Sequence, residues 1–227
     1  MEHVNIGTAQ AATSADTQKV LRNTYMLLGM TLAFSALTAG ISMSMNLGGG
    51  AAMVMSLAAL AIVWLVLPRT ANTAMGLPVV FLFTGLLGAA LGPMLNRYLA
   101  LPNGSEMVMQ ALGGTAVIFF SLSAYVLTSK KDFSFMGGFL FAGLMVVILG
   151  MVGGMIASFF FGVDVSLLRL AMSGAIVLLM SGFILFDTSR IINGGETNYI
   201  MATVSLYLNI YNLFTSLLHI IGATSDD

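Results

Sequence analysis

Residues 181–216 read SGFILFDTSRIINGGETNYIMATVSLYLNIYNLFTS, two apolar runs joined by a short polar loop, with Asp187 set inside the first run. A carboxylate in hydrocarbon is costly and faces a partner or a cavity rather than lipid. In the second run Ser205, Asn209, Asn212, Ser216 and His219 recur at spacings of four, three, four and three, one polar stripe on a helix. Asparagine amides turned toward lipid would be left unsatisfied, at a cost of roughly several kcal/mol. The stripe must therefore face protein or water, which places this helix inside others with its polar side turned toward them and toward Asp187. Two uses remain open for it: a polar path through the protein, or hydrogen bonds that hold helices together.

The rest of the chain fits this setting. The 227 residues are 58% hydrophobic and only 7% charged, with a mean hydropathy of +0.98, whereas charged residues approach about a quarter of a soluble domain. The expected class is an all-α integral membrane protein in a lipid bilayer. A net charge of -1 excludes the basic footprint of a nucleic-acid binder. The absence of cysteine removes disulfides, thiol nucleophiles, Cys-ligated zinc and covalent haem. Zinc is further disfavoured because His3 and His219, the only histidines, fall on opposite faces of the membrane. The 18 methionines are scattered without a repeated M-xx-M cluster and read as packing residues, so no cofactor is expected.

Seven spans emerge in order: 25–45, 51–68, 74–96, 107–129, 133–163, 166–191 and 199–221. Residues 1–19 carry no apolar periodicity and read as a disordered cytoplasmic tail, followed by a seven-helix domain over 20–222 and a short periplasmic tail over 223–227. The first span is too long for the apolar core of a cleavable signal peptide, so it is expected to remain. Within it Thr31, Ser35, Thr38 and Ser42 form a small hydroxyl face suited to close packing. Gly88 with Gly92, and Gly150 with Gly154, have the G-xxx-G spacing of closely packed helices. Trp64 lies near the Arg69 end of the second span, where interfacial tryptophans belong. Glu196 reads as a solvated loop acid that also suits the start of the last helix.

With the amino terminus inside, Lys19, Arg22, Arg69, Lys130, Lys131 and Arg190 lie on the cytoplasmic side, and only Arg97 and Arg169 on the other. Asp187 then sits about one turn from the cytoplasmic end of its helix, with Arg190 on the same face. Several catalytic classes fail on the residues. The last helix has no lysine for a retinal Schiff base, and one intramembrane aspartate is too few for an aspartyl protease. Ser181 or Ser205 with His219 lacks any nucleophile motif such as G-x-S-x-G.

GLLGAALGPML, ALGGTAVIFFSLSAYVLTSKKDFSFMGG, ILFDTSRII and ATVSLYLNIYNLFTSLL resemble the Bax inhibitor family of seven-span membrane proteins. KVLRNTYMLLGMTLAFSALTA and NGGETNYIMATVSLY are similar to its bacterial YccA branch. The resemblance implies six helices surrounding a central seventh and no catalysis. It also implies one of two activities. Members of the YccA branch bind, restrain and are degraded by the inner-membrane ATP-dependent protease FtsH, with its companions HflK and HflC. The amino-terminal segment, with Asp16 and Lys19, would be the handle the protease grips. Other family members are proton-sensitive calcium leaks in which two aspartates share a proton and latch to basic residues. Asp187 matches the first aspartate, but the second position holds Asn209. That pair is expected to give at most a weak calcium or proton site, with Arg190 and Arg69 as latch residues and Ser205, Asn212 and Ser216 as polar lining. An acid and an amide are a poor match for an ion that takes about six to eight oxygens.

Overall fold

The computed structural model describes the backbone of residues 6–225 and side chains from residue 16 onward. Among these residues all regular structure is helical, and seven helices are long and apolar enough to cross a membrane. They are α1 (Ile6–Ser44), α2 (Gly49–Ala61) continuing through a π-helical turn (Ile62–Val66) into α3 (Leu67–Thr70), and α4 (Gly76–Leu99). Then come α5 (Gly104–Ser129), α6 (Gly137–Phe161) with a 3-10 turn before it (Ser134–Met136), α7 (Ser166–Ile192) and α8 (Tyr199–Thr224). The second to seventh spans match sequence-derived ones to within a few residues, and the first ends one residue before the expected position but begins at least nine residues earlier. At the amino end the helix reaches back to Ile6, so the backbone of residues 6–19 is helical rather than irregular. Ala9, Ala11, Ala12 and Ala15 are strong helix formers, and extending a helix that already exists avoids the cost of nucleation. The first five positions of that tail, and the last two of the carboxyl-terminal one, lie outside the described residues.

The π-helical turn has a local cause. Pro68 has no N–H to give and its ring crowds the preceding turn; the helix widens ahead of it, with the Leu67 N–H reaching the Ile62 carbonyl. Side chains cover carbonyls next to the break: Thr70 Oγ1 donates to the Val66 oxygen at 3.0 Å and the Arg69 guanidinium to that of Leu65. Broken helices persist at membrane depth when such groups find partners.

The helices pack as two compact units, residues 1–96 with 190–207 and residues 97–189 with 208–227. In the first, the hydroxyl face of α1 meets the glycine face of α4. A Cβ on Gly88 would stand 2.3 Å from the Ser35 carbonyl oxygen and 2.3 Å from Thr38 Oγ1, and one on Gly92 would stand 2.3 Å from Ser42 Oγ. The first part of α8 joins this contact through Tyr207, 1% exposed, whose hydroxyl lies 2.7 Å from Ser35 Oγ and donates to the Thr84 carbonyl at 3.3 Å. Asn198 caps α8: its Oδ1 accepts from the N–H groups of Ile200 and Met201, while its amide donates to the Ala71 carbonyl and Asn72 Oδ1. One asparagine thereby starts the last helix and ties it to the loop before α4.

In the second unit α6 turns four of its glycines, Gly137, Gly143, Gly150 and Gly154, toward α7. Cβ atoms on Gly137, Gly143 and Gly154 would meet Phe186 at 2.9 Å, Leu179 at 2.7 Å and Leu168 at 2.8 Å. Gly182 of α7 faces Leu140 in the same way. Elsewhere threonine hydroxyls close on their own helix, as Thr84 does on Val80 and Thr115 on Ala111.

Exposure sorts the spans. Only 11% of the most apolar window in the second span and 17% in the fifth is buried, as lipid-facing helices should be. By contrast no residue from Tyr199 through Gly222 is exposed, which is the enclosure that the polar stripe on α8 requires. The glycine contact gives a direct test. Gly88→Ala forces α1 and α4 apart and should destabilise the protein by about 1–3 kcal/mol. Gly113→Ala meets nothing within 4 Å and should gain roughly 0.5–1 kcal/mol from helix propensity. Thermal unfolding followed by helical circular dichroism in detergent reads both.

Candidate functional site

α7 brings Asp187 to α8 near the end of its course, and the two helices meet there through one strong contact. The Nδ2 of Asn209 donates to Asp187 Oδ2 at 2.7 Å. Asn209 is 6% exposed and Asp187 is half-buried, between buried Phe186 and Thr188 in sequence. The amide nitrogen donates and the carboxyl oxygen accepts, which sets the Asn209 amide with its N–H side toward the acid. Such a hydrogen bond contributes about 0.5–1.5 kcal/mol, and more where the acceptor is charged. The sequence stripe thus supplies a real partner for the intramembrane acid.

Its other members are placed as follows. Asn212 donates to the Leu208 carbonyl at 2.9 Å on its own helix, Ser216 is buried and Ser205 half-buried. His219 is half-buried, with Nδ1 3.0 Å from Ser173 Oγ, so its serine partner is neither Ser181 nor Ser205. Ser181 instead closes on the Val177 carbonyl at 2.7 Å. Arg190 turns into the loop after α7, donating to the Gly195 carbonyl at 3.1 Å and lying 3.7 Å from Glu196. Glu196 also accepts the Asn198 N–H at 2.9 Å, so it acts in the loop while Asn198 caps the helix. Arg69 covers the end of its own broken helix. Asp16 and Lys19 are exposed on α1. Among the described residues no group of three or more His, Cys, Asp or Glu is arranged to hold a metal.

One residue escaped the sequence reading. Ser189, two positions beyond Asp187 and 0% exposed, anchors the loop between α5 and α6. Its Oγ accepts the Phe133 N–H at 2.8 Å and lies 3.3 Å from Asp132 Oδ1. The Ser134 side chain and N–H, and then Ser189, hold the Asp132 carboxyl below its ordinary value of 3.8. The only available signal was a serine two residues beyond the acid and on another face of the helix, and it is indistinguishable by pattern from a packing serine.

Fold and site define a seven-span helical membrane protein whose last helix is enclosed along its length and joined to the sixth span by an acid–amide pair. Comparison with known proteins gives the family. The family described as Inhibitor of apoptosis-promoting Bax1 matches residues 17–226. An uncharacterised membrane protein of Vibrio cholerae is 52% identical over 97% of this chain and 96% of its own. The modulator of FtsH protease YccA of Escherichia coli K12 is 50% identical over 93% of each chain, as is the inner membrane protein YccA of E. coli strain CFT073. The chain belongs to the Bax inhibitor family.

Asn209→Asp would set two carboxylates against each other unless they share a proton. The variant should match the wild type in thermal stability near pH 4 and fall progressively below it as pH rises to neutrality. Asn209→Leu, which removes the donor, should cost about 1–3 kcal/mol at neutral pH. A second expectation concerns Asp132. Its folded-state pKa is depressed, so the stability it adds is present above the ordinary carboxylate value and lost as pH falls below 3.8 through the folded value. Asp132→Asn should flatten that acid limb of the melting-temperature profile.

Proposed function

We propose that this chain is an inner-membrane modulator of the FtsH protease and itself a substrate of it, acting without catalysis and in company with HflK and HflC. The observation that carries this reading is the 50% identity, over 93% of both chains, to the E. coli protein that bears that name. The architecture supplies a physical basis. A helix enclosed along its length and hydrogen-bonded to its neighbours resists extraction, while a terminal helix with exposed Asp16, Gln18 and Lys19 gives an ATP-driven protease an end to grip. The distribution of lysines and arginines supports a cytoplasmic amino end and a periplasmic carboxyl terminus. A slowly extracted substrate occupies the enzyme and so restrains its action on others.

A pH-sensitive cation leak is the weaker reading. One carboxylate, with an oxygen already taken by the Asn209 amide, offers an ion few ligands.

Deleting residues 1–19 tests the handle. The truncated protein should persist several-fold longer than the full chain in cells containing FtsH, and should no longer slow degradation of a second membrane substrate. Turnover at the full-length rate with restraint intact would overturn the proposal.

A further inference from the structure

Between the last turns of α6 and the first turns of α7, within the second unit, lies a groove of about 730 Å³. Its walls are Met151, Met155, Val165, Leu168 and Met172, and Arg169 lies at its edge. The volume falls within the roughly 300–1,000 Å³ typical of small-molecule sites. Its depth is set by the helices. From Met151 to the end of α6 at Phe161 the rise is about 15 Å, half of a hydrocarbon core about 30 Å thick. The stretch of α6 that lines the groove thus has the length of one leaflet, and Val165 brings the short 162–165 loop into its lining.

Arg169 sits one turn into α7, close to the end of the span that adjoins the 162–165 loop. Its guanidinium is exposed and makes no hydrogen bond or ion pair among the described residues. The nearest acid in sequence, Asp164, is engaged elsewhere: its oxygens accept the Ser166 N–H at 2.9 Å and the Ser166 hydroxyl at 3.1 Å. Those two bonds, and then the charge of Arg169, hold the Asp164 carboxyl below its ordinary value, so it is ionised and offsets part of the arginine's field without binding its fork. A planar five-donor cation is thus left open at the headgroup end of an apolar trough. Arginine of this kind pairs with phosphate through two parallel hydrogen bonds. Methionine walls are flexible and polarizable and adapt to an irregular chain. Gly154, whose added Cβ would come 2.8 Å from Leu168, keeps α6 close to α7 at the groove floor.

The geometry points to a resident anionic glycerophospholipid, with its phosphate on Arg169 and one acyl chain along the groove. This site is separate from the Asp187–Asn209 pair and does not depend on the protease reading. Native mass spectrometry of the delipidated full chain, titrated with phosphatidylglycerol or with phosphatidylcholine of the same acyl chains, reads it directly. The first should bind at one site roughly tenfold more tightly, because the choline ammonium of the second offsets its phosphate's charge beside Arg169 while phosphatidylglycerol keeps a net negative headgroup. Arg169→Gln should abolish that preference and Arg169→Lys retain part of it, while Arg97→Gln should leave it intact. Met155→Trp, which fills the groove without changing charge, should weaken both lipids. All these side chains are exposed or line the groove, and circular dichroism confirms that each variant is folded. Equal binding of the two lipids by the wild type, or an undiminished preference in Arg169→Gln, overturns the proposal. So does inorganic phosphate displacing the signal together with no effect of Met155→Trp, which would assign Arg169 to a free anion.

Discussion

Inside a bilayer there is no water to complete a hydrogen bond, and the arrangement of this protein follows from that one fact. Thr84 and Thr115 close on carbonyls of their own helices, and Ser35 finds the Tyr207 hydroxyl. Where Pro68 breaks the regular pattern, Arg69 and Thr70 reach back to nearby carbonyls. The rule is not absolute. The hydroxyls of Thr24, Ser42, Ser123 and Thr188 are buried without a hydrogen-bond partner among the described residues. For Ser42 size is a sufficient reason, because it lies directly against Gly92, where a larger side chain would not fit. Small polar residues serve this protein both as hydrogen-bonding groups and as thin ones.

The acid–amide pair is the most consequential case. Two aspartates in this position need a shared proton to coexist, and their contact would weaken as pH rises. An amide donates at any pH. Asn209 therefore meets Asp187 without a second negative charge beside it, so no like-charge repulsion between α7 and α8 builds up at this contact as pH rises. A contact free of that repulsion suits a body whose proposed role is to be slow to unfold.

Much of this was legible in the sequence. Segments of some twenty uncharged residues reveal spans directly, because length and hydropathy alone decide whether a helix can cross. The 4-3-4-3 recurrence of polar residues announced an enclosed last helix, and the hydroxyl face of α1 and the glycines of α4 were each visible by spacing. That they are partners was not, since spacing describes one helix at a time. Ser189 stayed hidden for the same reason: its role depends on Phe133 and Asp132, more than fifty positions away. The helical character of residues 6–19 was missed because polar composition was read as disorder, although the alanines favour extension of α1. The π-helical turn was signalled only by Pro68, which predicts a break but not its form.

The membership of α8 in both compact units has a bearing on biosynthesis. The first unit consists of residues 1–96 with 190–207, and the second of residues 97–189 with 208–227. Chains emerge from the ribosome amino end first, and domains ordinarily fold in that order. Here neither unit possesses all its parts until the final span has been made. The hydroxyl of Ser35 waits for Tyr207, and the carboxylate of Asp187 waits for Asn209, through the insertion of every earlier helix. Completion of the two cores is thus deferred to a single late event, the arrival of the helix that the finished protein exposes least.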